Sequence, residues 1–252
     1  MTLTIQTERF ESFDGTKIAV HVAGEGPPVV MLHGFLSSAK ANWFAPGIAQ
    51  ALVEAGRQVI APDLRGHGRS QAPSDLSKWP PDVLAQDQFA LVAHLGLTDF
   101  DLVGYSLGAR TAVRAMVRGL KPRRAALGGM GDTGVMEAGK RAEMFEDSIR
   151  HGEEAADPRA ARRIHRMIAD QGLNPEAMLG VLASFVETTE AELRAIEVPT
   201  LVVCGEEDRD NGSPHRLAEI IPHAELRMVP GDHIGAVSQP ELAWAIAGFL
   251  SA

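Results

Sequence analysis

Apolar residues along this chain come in short runs that alternate with stretches of helical spacing. "KIAVHVAG" (Lys17 to Gly24) and "PPVVMLHG" (Pro27 to Gly34) read as strands, and the second is apolar at consecutive central positions. That pattern marks a strand buried on both faces. "RQVIAPDL", "DFDLVGYS", "RRAALGGM", "PTLVVCGEE" and "AELRMVPG" are the later strand candidates. Helical spacing runs over Asn42 to Ala55, Pro81 to Leu95, Leu107 to Gly119 and Pro214 to Ile221, with a last helix from Ala236 to Leu250. Repeated strand–helix–strand units predict an α/β fold, a mostly parallel sheet with helices on both faces, because parallel neighbours must be joined by crossovers. Such sheets hold their chemistry in loops beyond the carboxyl ends of the strands.

One region breaks the rhythm. From Gly131 to Ile196 there is no strand pattern, and the segment reads as three or so helices. The expectation is a small helical cap (131–196) inserted before the penultimate strand, with 1–130 and 197–252 forming the core.

Candidate chemistry starts at "DLVGYSLGAR" (Asp101 to Arg110), where a serine stands between two glycines at a predicted strand-to-helix junction. A sharp turn there forces the serine toward positive φ, at a cost of about 1–3 kcal/mol for a residue with a side chain. Gly104 and Gly108 would let backbone and helix approach closely enough to make the turn. It would lift the Ser106 hydroxyl clear of the sheet, beside a helix N-terminus that favours negative charge. A serine hydroxyl is a weak nucleophile at neutral pH and needs a base, which in turn needs an orienting acid. Among nine histidines, His233 follows the last predicted strand and precedes the final helix, so it would share the strand-end rim with Ser106. His215, His223, His21, His94, His151 and His165 fall on predicted surfaces or inside elements. For the acid, "VVCGEEDRDNG" places Asp208 just past Gly205, with Asp132 the main rival and Asp232, adjacent to the histidine, ranked lower. "MLHGFLSS" ends a buried strand at His33-Gly34-Phe35, where the Phe35 N–H, with that of Leu107, would form a pair of donors for an oxyanion.

Taken together, His33-Gly34-Phe35, "PDLRGHGRS" (Pro62 to Ser70), Gly104-Tyr105-Ser106-Leu107-Gly108, Gly205 to Asp208 and Gly231-Asp232-His233 resemble the α/β-hydrolase superfamily. The resemblance covers nearly the whole chain and is weakest in the helical insertion and the first dozen residues. The order Ser, Asp, His is the one that superfamily uses. It implies a nucleophile at Ser106, an acid at Asp208, a base at His233 and oxyanion donors at Phe35 and Leu107. Ala109 stands where a further glycine is common, and Asp232 where a small residue is frequent. A serine nucleophile argues against the dehalogenase and epoxide-hydrolase branches, which carry aspartate there.

Other signals change the picture less. Gly129 to Gly134 spells G-x-G-x-x-G after a predicted strand, but no second strand follows to complete a dinucleotide-binding unit; these glycines read as a hinge into the cap. Arg159, Arg162, Arg163 and Arg166 share one helical face, either solvated among Glu153, Glu154 and Asp157 or attracting a carboxylate-bearing substrate. The formal charge of −9 argues against nucleic acid and anionic membrane partners. Cys204 is the one cysteine, so no internal disulfide forms, and no signal peptide or bilayer span is read, which suits a cytoplasmic protein. No metal or nucleotide motif appears. The expected activity is hydrolysis of a small-molecule carboxylic ester through an acyl-enzyme, with no cofactor. The alternatives are C–C bond hydrolysis or a lyase step on the same residues ("HGFL" and "GYSLGAR" are similar to the hydrolase-fold synthase of menaquinone biosynthesis) and a non-catalytic ligand receptor.

Overall fold

The computed structural model describes residues 3–251. Eight strands form one sheet: β1 (Gln6–Glu11), β2 (Lys17–Ala23), β3 (Pro28–Leu32), β4 (Gln58–Pro62), β5 (Asp101–Tyr105), β6 (Ala125–Gly128), β7 (Thr200–Gly205) and β8 (Ala224–Val229). Their spatial order is β1-β2-β4-β3-β5-β6-β7-β8. From β4 to β8 every neighbour is parallel, while β2 is antiparallel to both β1 and β4.

The consecutive apolar positions are explained by a core on each face. Along β3, Val29 and Met31 point into one cluster, and Val30 and Leu32 into the other, the two-residue alternation of a pleated strand. The first face is covered by α1 (Ile48–Glu54) and α10 (Pro240–Ser251). The second is covered by α2 (Val83–His94), α3 (Leu107–Val117) and α9 (Pro214–Ile220).

The structure departs from the sequence reading in a few places. β1 was not expected: only Phe10 of its residues is buried, so an edge strand with one inward apolar side chain carries no alternation signal. The helix expected from Asn42 to Ala55 is divided. A short wide turn covers Lys40–Phe44, and α1 starts only at Ile48, because Pro46 lacks an N–H and Gly47 takes a left-handed φ of +89°. The last helix starts at Pro240, after a tight turn at Gly235–Ser238.

Between β6 and β7 lie α4 (Asp132–Met136), α5 (Ala138–His151), α6 (Pro158–Asp170), α7 (Pro175–Ala183) and α8 (Glu190–Arg194), five helices where about three were expected. Several start on ordinary capping chemistry. Asp157 accepts from the Arg159 and Ala160 N–H groups, Asn174 from that of Glu176, and Thr189 with Glu192 forms a reciprocal box. Among the described residues no helix is long and apolar enough to cross a membrane.

Candidate active site

The four segments singled out in the sequence all leave the sheet at carboxyl ends of strands: Phe35 after β3, Ser106 after β5, Asp208 after β7 and His233 after β8. Ser106 has φ +52°, against the preference of an L residue. The turn survives because its neighbours are bare. A Cβ on Gly104 would overlap the backbone of Gly108 and Ala109, and one on Gly108 would run into the Leu32 carbonyl. The Ser106 N–H is spent on the Gly128 carbonyl at 2.8 Å, tying the turn to β6.

The three side chains meet. His233 Nε2 lies 3.0 Å from Ser106 Oγ, and His233 Nδ1 lies 2.8 Å from Asp208 Oδ2. Burial pushes the Asp208 carboxyl up, but the hydrogen bond and charge of His233, then the Asp210 N–H and the Cys204 thiol, outweigh it and hold the group below the usual carboxylate range. An ionised carboxylate only accepts. The imidazole proton therefore sits on Nδ1, and Nε2 is left to accept from the serine hydroxyl. Tyr105 Oη donates to the His233 carbonyl oxygen at 2.7 Å, anchoring the histidine loop to the strand that carries the serine.

The turn at Gly34 is held with equal care. His33 Nε2 accepts from the Leu64 N–H at 2.9 Å, which leaves Nδ1–H to donate to the Gly34 carbonyl at 2.8 Å. Burial, only partly offset by Asp63, lowers the His33 pKa and keeps the ring neutral for that role. "PDLRGHGRS" supports the same turn, since Asp63 accepts from the Ala39 and Arg69 N–H groups and from His21. The Gly34 N–H donates to Asn42 Oδ1 at 2.8 Å. Among the described residues neither the Phe35 nor the Leu107 N–H has an acceptor, and both residues line a cleft with Ser106 and His233.

That cleft has a volume of about 300 Å³, enough for a small organic molecule. Its far wall comes from the segment between β6 and β7, through Phe145 of α5 and Ile164 and Met167 of α6. Phe145 packs edge-on against Phe35 with ring centres 5.0 Å apart.

The rival assignments go elsewhere. Asp132 accepts from the Ser213 N–H at 2.8 Å, and Asp232 from the Gly235 N–H at 2.7 Å; neither meets the imidazole. His21 is held by Thr7 and Asp63, His165 by the Ser148 carbonyl, and His94, His151, His215 and His223 are exposed. The glycines from 129 to 134 pack against Tyr105, Asn211 and Gly212, a close-packed crossing with no free run of N–H groups. On α6, Arg162 pairs with Glu153 at 2.6 Å, and of the four arginines on that face only Arg163 lines the cleft.

The polar side chains of the cleft that sequence reasoning missed include Asn42 and Arg110. The second was legible in principle: it lies four residues after Ser106, one helical turn along.

Comparison with known proteins adds lineage to this geometry. Residues 27–124 match a family model described as the alpha/beta hydrolase fold. A non-heme haloperoxidase of Rhodococcus erythropolis is 30% identical over 250 aligned residues, covering 86% of this chain and 89% of that protein. The chain belongs to the α/β-hydrolase superfamily. An epoxide hydrolase of Caballeronia sordidicola is 38% identical over 100 residues, a match spanning only 39% of this chain and 30% of that protein. An esterase from Exiguobacterium antarcticum superposes with a TM-score of 0.81 over 98% of this chain and 100% of its own at 19% identity. At that identity the likeness speaks for the α/β-hydrolase fold alone.

Proposed function

We propose that this protein is a serine esterase that hydrolyses small carboxylic esters through an acyl-enzyme. The observation that carries the reading is the continuous line from Ser106 Oγ through His233 to Asp208, at 3.0 and 2.8 Å, opening on a cleft of ligand size.

Ser106 Oγ attacks the ester carbonyl as its proton passes to His233 Nε2, and Asp208 stabilises the imidazolium. The carbonyl oxygen becomes an oxyanion held by the Phe35 and Leu107 N–H groups, each worth about 3 kcal/mol in such a site. Collapse breaks the bond to the alcohol oxygen, which leaves with the proton from His233. Water then attacks the acyl carbon and gives its proton to the same nitrogen. The acid departs as the proton returns to Ser106. The helices between β6 and β7 act as a cap that shapes the acyl site. No cofactor is required.

Ser106→Ala tests the assignment. The variant should fold, fail to react with a fluorophosphonate probe and lose aryl-ester turnover; undiminished turnover would refute it. Turnover of a dicarbonyl compound in place of esters would move the reading to C–C hydrolysis on the same residues. Labelling of the wild type without steady turnover would favour a receptor.

A further inference from the structure

One charged side chain in the cleft lacks the partner that burial usually demands. Arg110 lies one turn into α3, its backbone N–H bonded to the Ser106 carbonyl at 3.0 Å, and it lines the cleft with that serine. Its side chain is close to sealed, with the residue 5% exposed. The other buried arginines are matched with acids: Arg57 with Asp101, Arg65 with Asp14 and Asp87, Arg114 with Asp82. Arg110 instead donates from Nε to the Gly134 carbonyl at 2.8 Å and lays its guanidinium 4.3 Å from the centre of the Phe185 ring.

Among the described residues no carboxylate lies within 4.0 Å of it. Among the described residues its two terminal nitrogens make no hydrogen bond, and neither is fully enclosed, so each remains free to donate to an acceptor. Burial, with the positive charge of Arg141 added, pulls the pKa down to about 9, so the group is still a cation at neutral pH.

The surroundings reinforce this. The charged groups on the cleft wall besides the candidate base His233 are Arg110, Arg141, Arg163 and Asp210. Arg141 is engaged with Asp210 at 2.9 Å, which leaves the wall positive in a chain of formal charge −9. A buried, unpaired cation loses much of its solvation unless an anion joins it. A guanidinium presents a planar fork of donors that fits a carboxylate two bonds at a time.

We propose that Arg110 is a specificity residue that binds a free carboxylate on the substrate, so that the preferred esters are anionic. This rests on the esterase reading of the same cleft. Ser106 caps α3 and Arg110 lies within its first turn, and both line one cleft of about 300 Å³. The carboxylate and the ester carbonyl therefore belong to one small molecule. The carboxylate sits on the acyl part, as in a half-ester of a short dicarboxylic acid, or on the alcohol part, and matched substrates distinguish the two.

The experiment compares kcat/KM for para-nitrophenyl hemiglutarate against para-nitrophenyl valerate, and for para-acetoxybenzoate against para-tolyl acetate. In the wild type one anionic ester should exceed its neutral partner by about tenfold to a hundredfold, the factor a charge-assisted hydrogen-bond pair supplies, mainly through KM. Arg110→Gln should bring that ratio close to one and Arg110→Lys should restore part of it; the ratio, not the absolute rate, is the readout. Protection of the wild type against fluorophosphonate labelling, by glutarate compared with glutaramide, needs no variant at all. Glutarate should protect better, and Arg110→Gln should erase the difference. Ser106-dependent turnover with no anionic preference, and equal protection by the two compounds, would overturn the role of Arg110 and leave the esterase reading standing. Selective protection by glutarate without turnover of any ester would uphold the role of Arg110 and overturn that reading.

Discussion

Replacing Asp208 with asparagine isolates the contribution of one charge. The substitution keeps size and shape, and Oδ1 still accepts the Asp210 N–H that it now receives at 2.9 Å, so the fold should persist. What changes is the other end. The carboxylate meets His233 Nδ1 at 2.8 Å with only 5% of the residue exposed, placing the charge centres about 4 Å apart once the imidazole is protonated. With an effective dielectric of about 20, that attraction is worth about 4 kcal/mol. An amide N–H in its place also turns Nδ1 into an acceptor and puts the proton on Nε2, where it cannot be exchanged for that of Ser106. At 1.36 kcal/mol per decade, kcat should fall about a thousandfold while KM changes little. Steady-state turnover of an aryl acetate measures this, with fluorophosphonate labelling reporting the acylation step and circular dichroism the fold. A loss under tenfold would show that Asp208 neither orients nor stabilises the imidazole, and the proton-handling line would have to be abandoned.

Two further outcomes test the scaffold. Gly108→Ala drives a methyl group into the Leu32 carbonyl and should destabilise by more than about 3 kcal/mol, since backbone has to move; a urea midpoint close to wild type would refute the close approach of α3 to β3. Stability should also fall as the pH drops from 6.5 to 5. Burial lowers the pKa of His67 from 6.5 to about 3 and lowers that of His33 as well. The unfolded chain therefore takes up protons below pH 6.5 that the folded chain refuses, and stability drops as pH falls through that window. From pH 6.5 to 5 His67 alone should cost about 1.5 kcal/mol, with His33 acting in the same direction. Urea unfolding at the two pH values that shows no decline would contradict neutral, buried rings.

Much of this was written locally. Consecutive apolar positions in β3, β5 and β7 can only mean burial on both faces, and turn residues at their carboxyl ends marked where polar chemistry could stand. The glycines around Ser106 mark a crowded turn, and His233 and Asp208 stand out because each follows a strand. β1 escaped notice because an edge strand needs little apolar surface. The helix count between β6 and β7 was low because short helices bounded by caps do not sustain a periodic pattern.

Local order along a chain records how each segment meets water and how its backbone can turn, and those preferences settled the alternation of elements and the strand-end positions of Phe35, Ser106, Asp208 and His233. Distance between segments is a different quantity. Whether Asp208 or Asp132 reached the imidazole depended on how β6, β7 and β8 lie side by side. That Arg110 is left without an acid, while Arg65 and Arg114 find theirs, is a property of what surrounds each guanidinium after the chain has closed. Pairing energies act across space between residues far apart in sequence, so only the folded molecule could decide them.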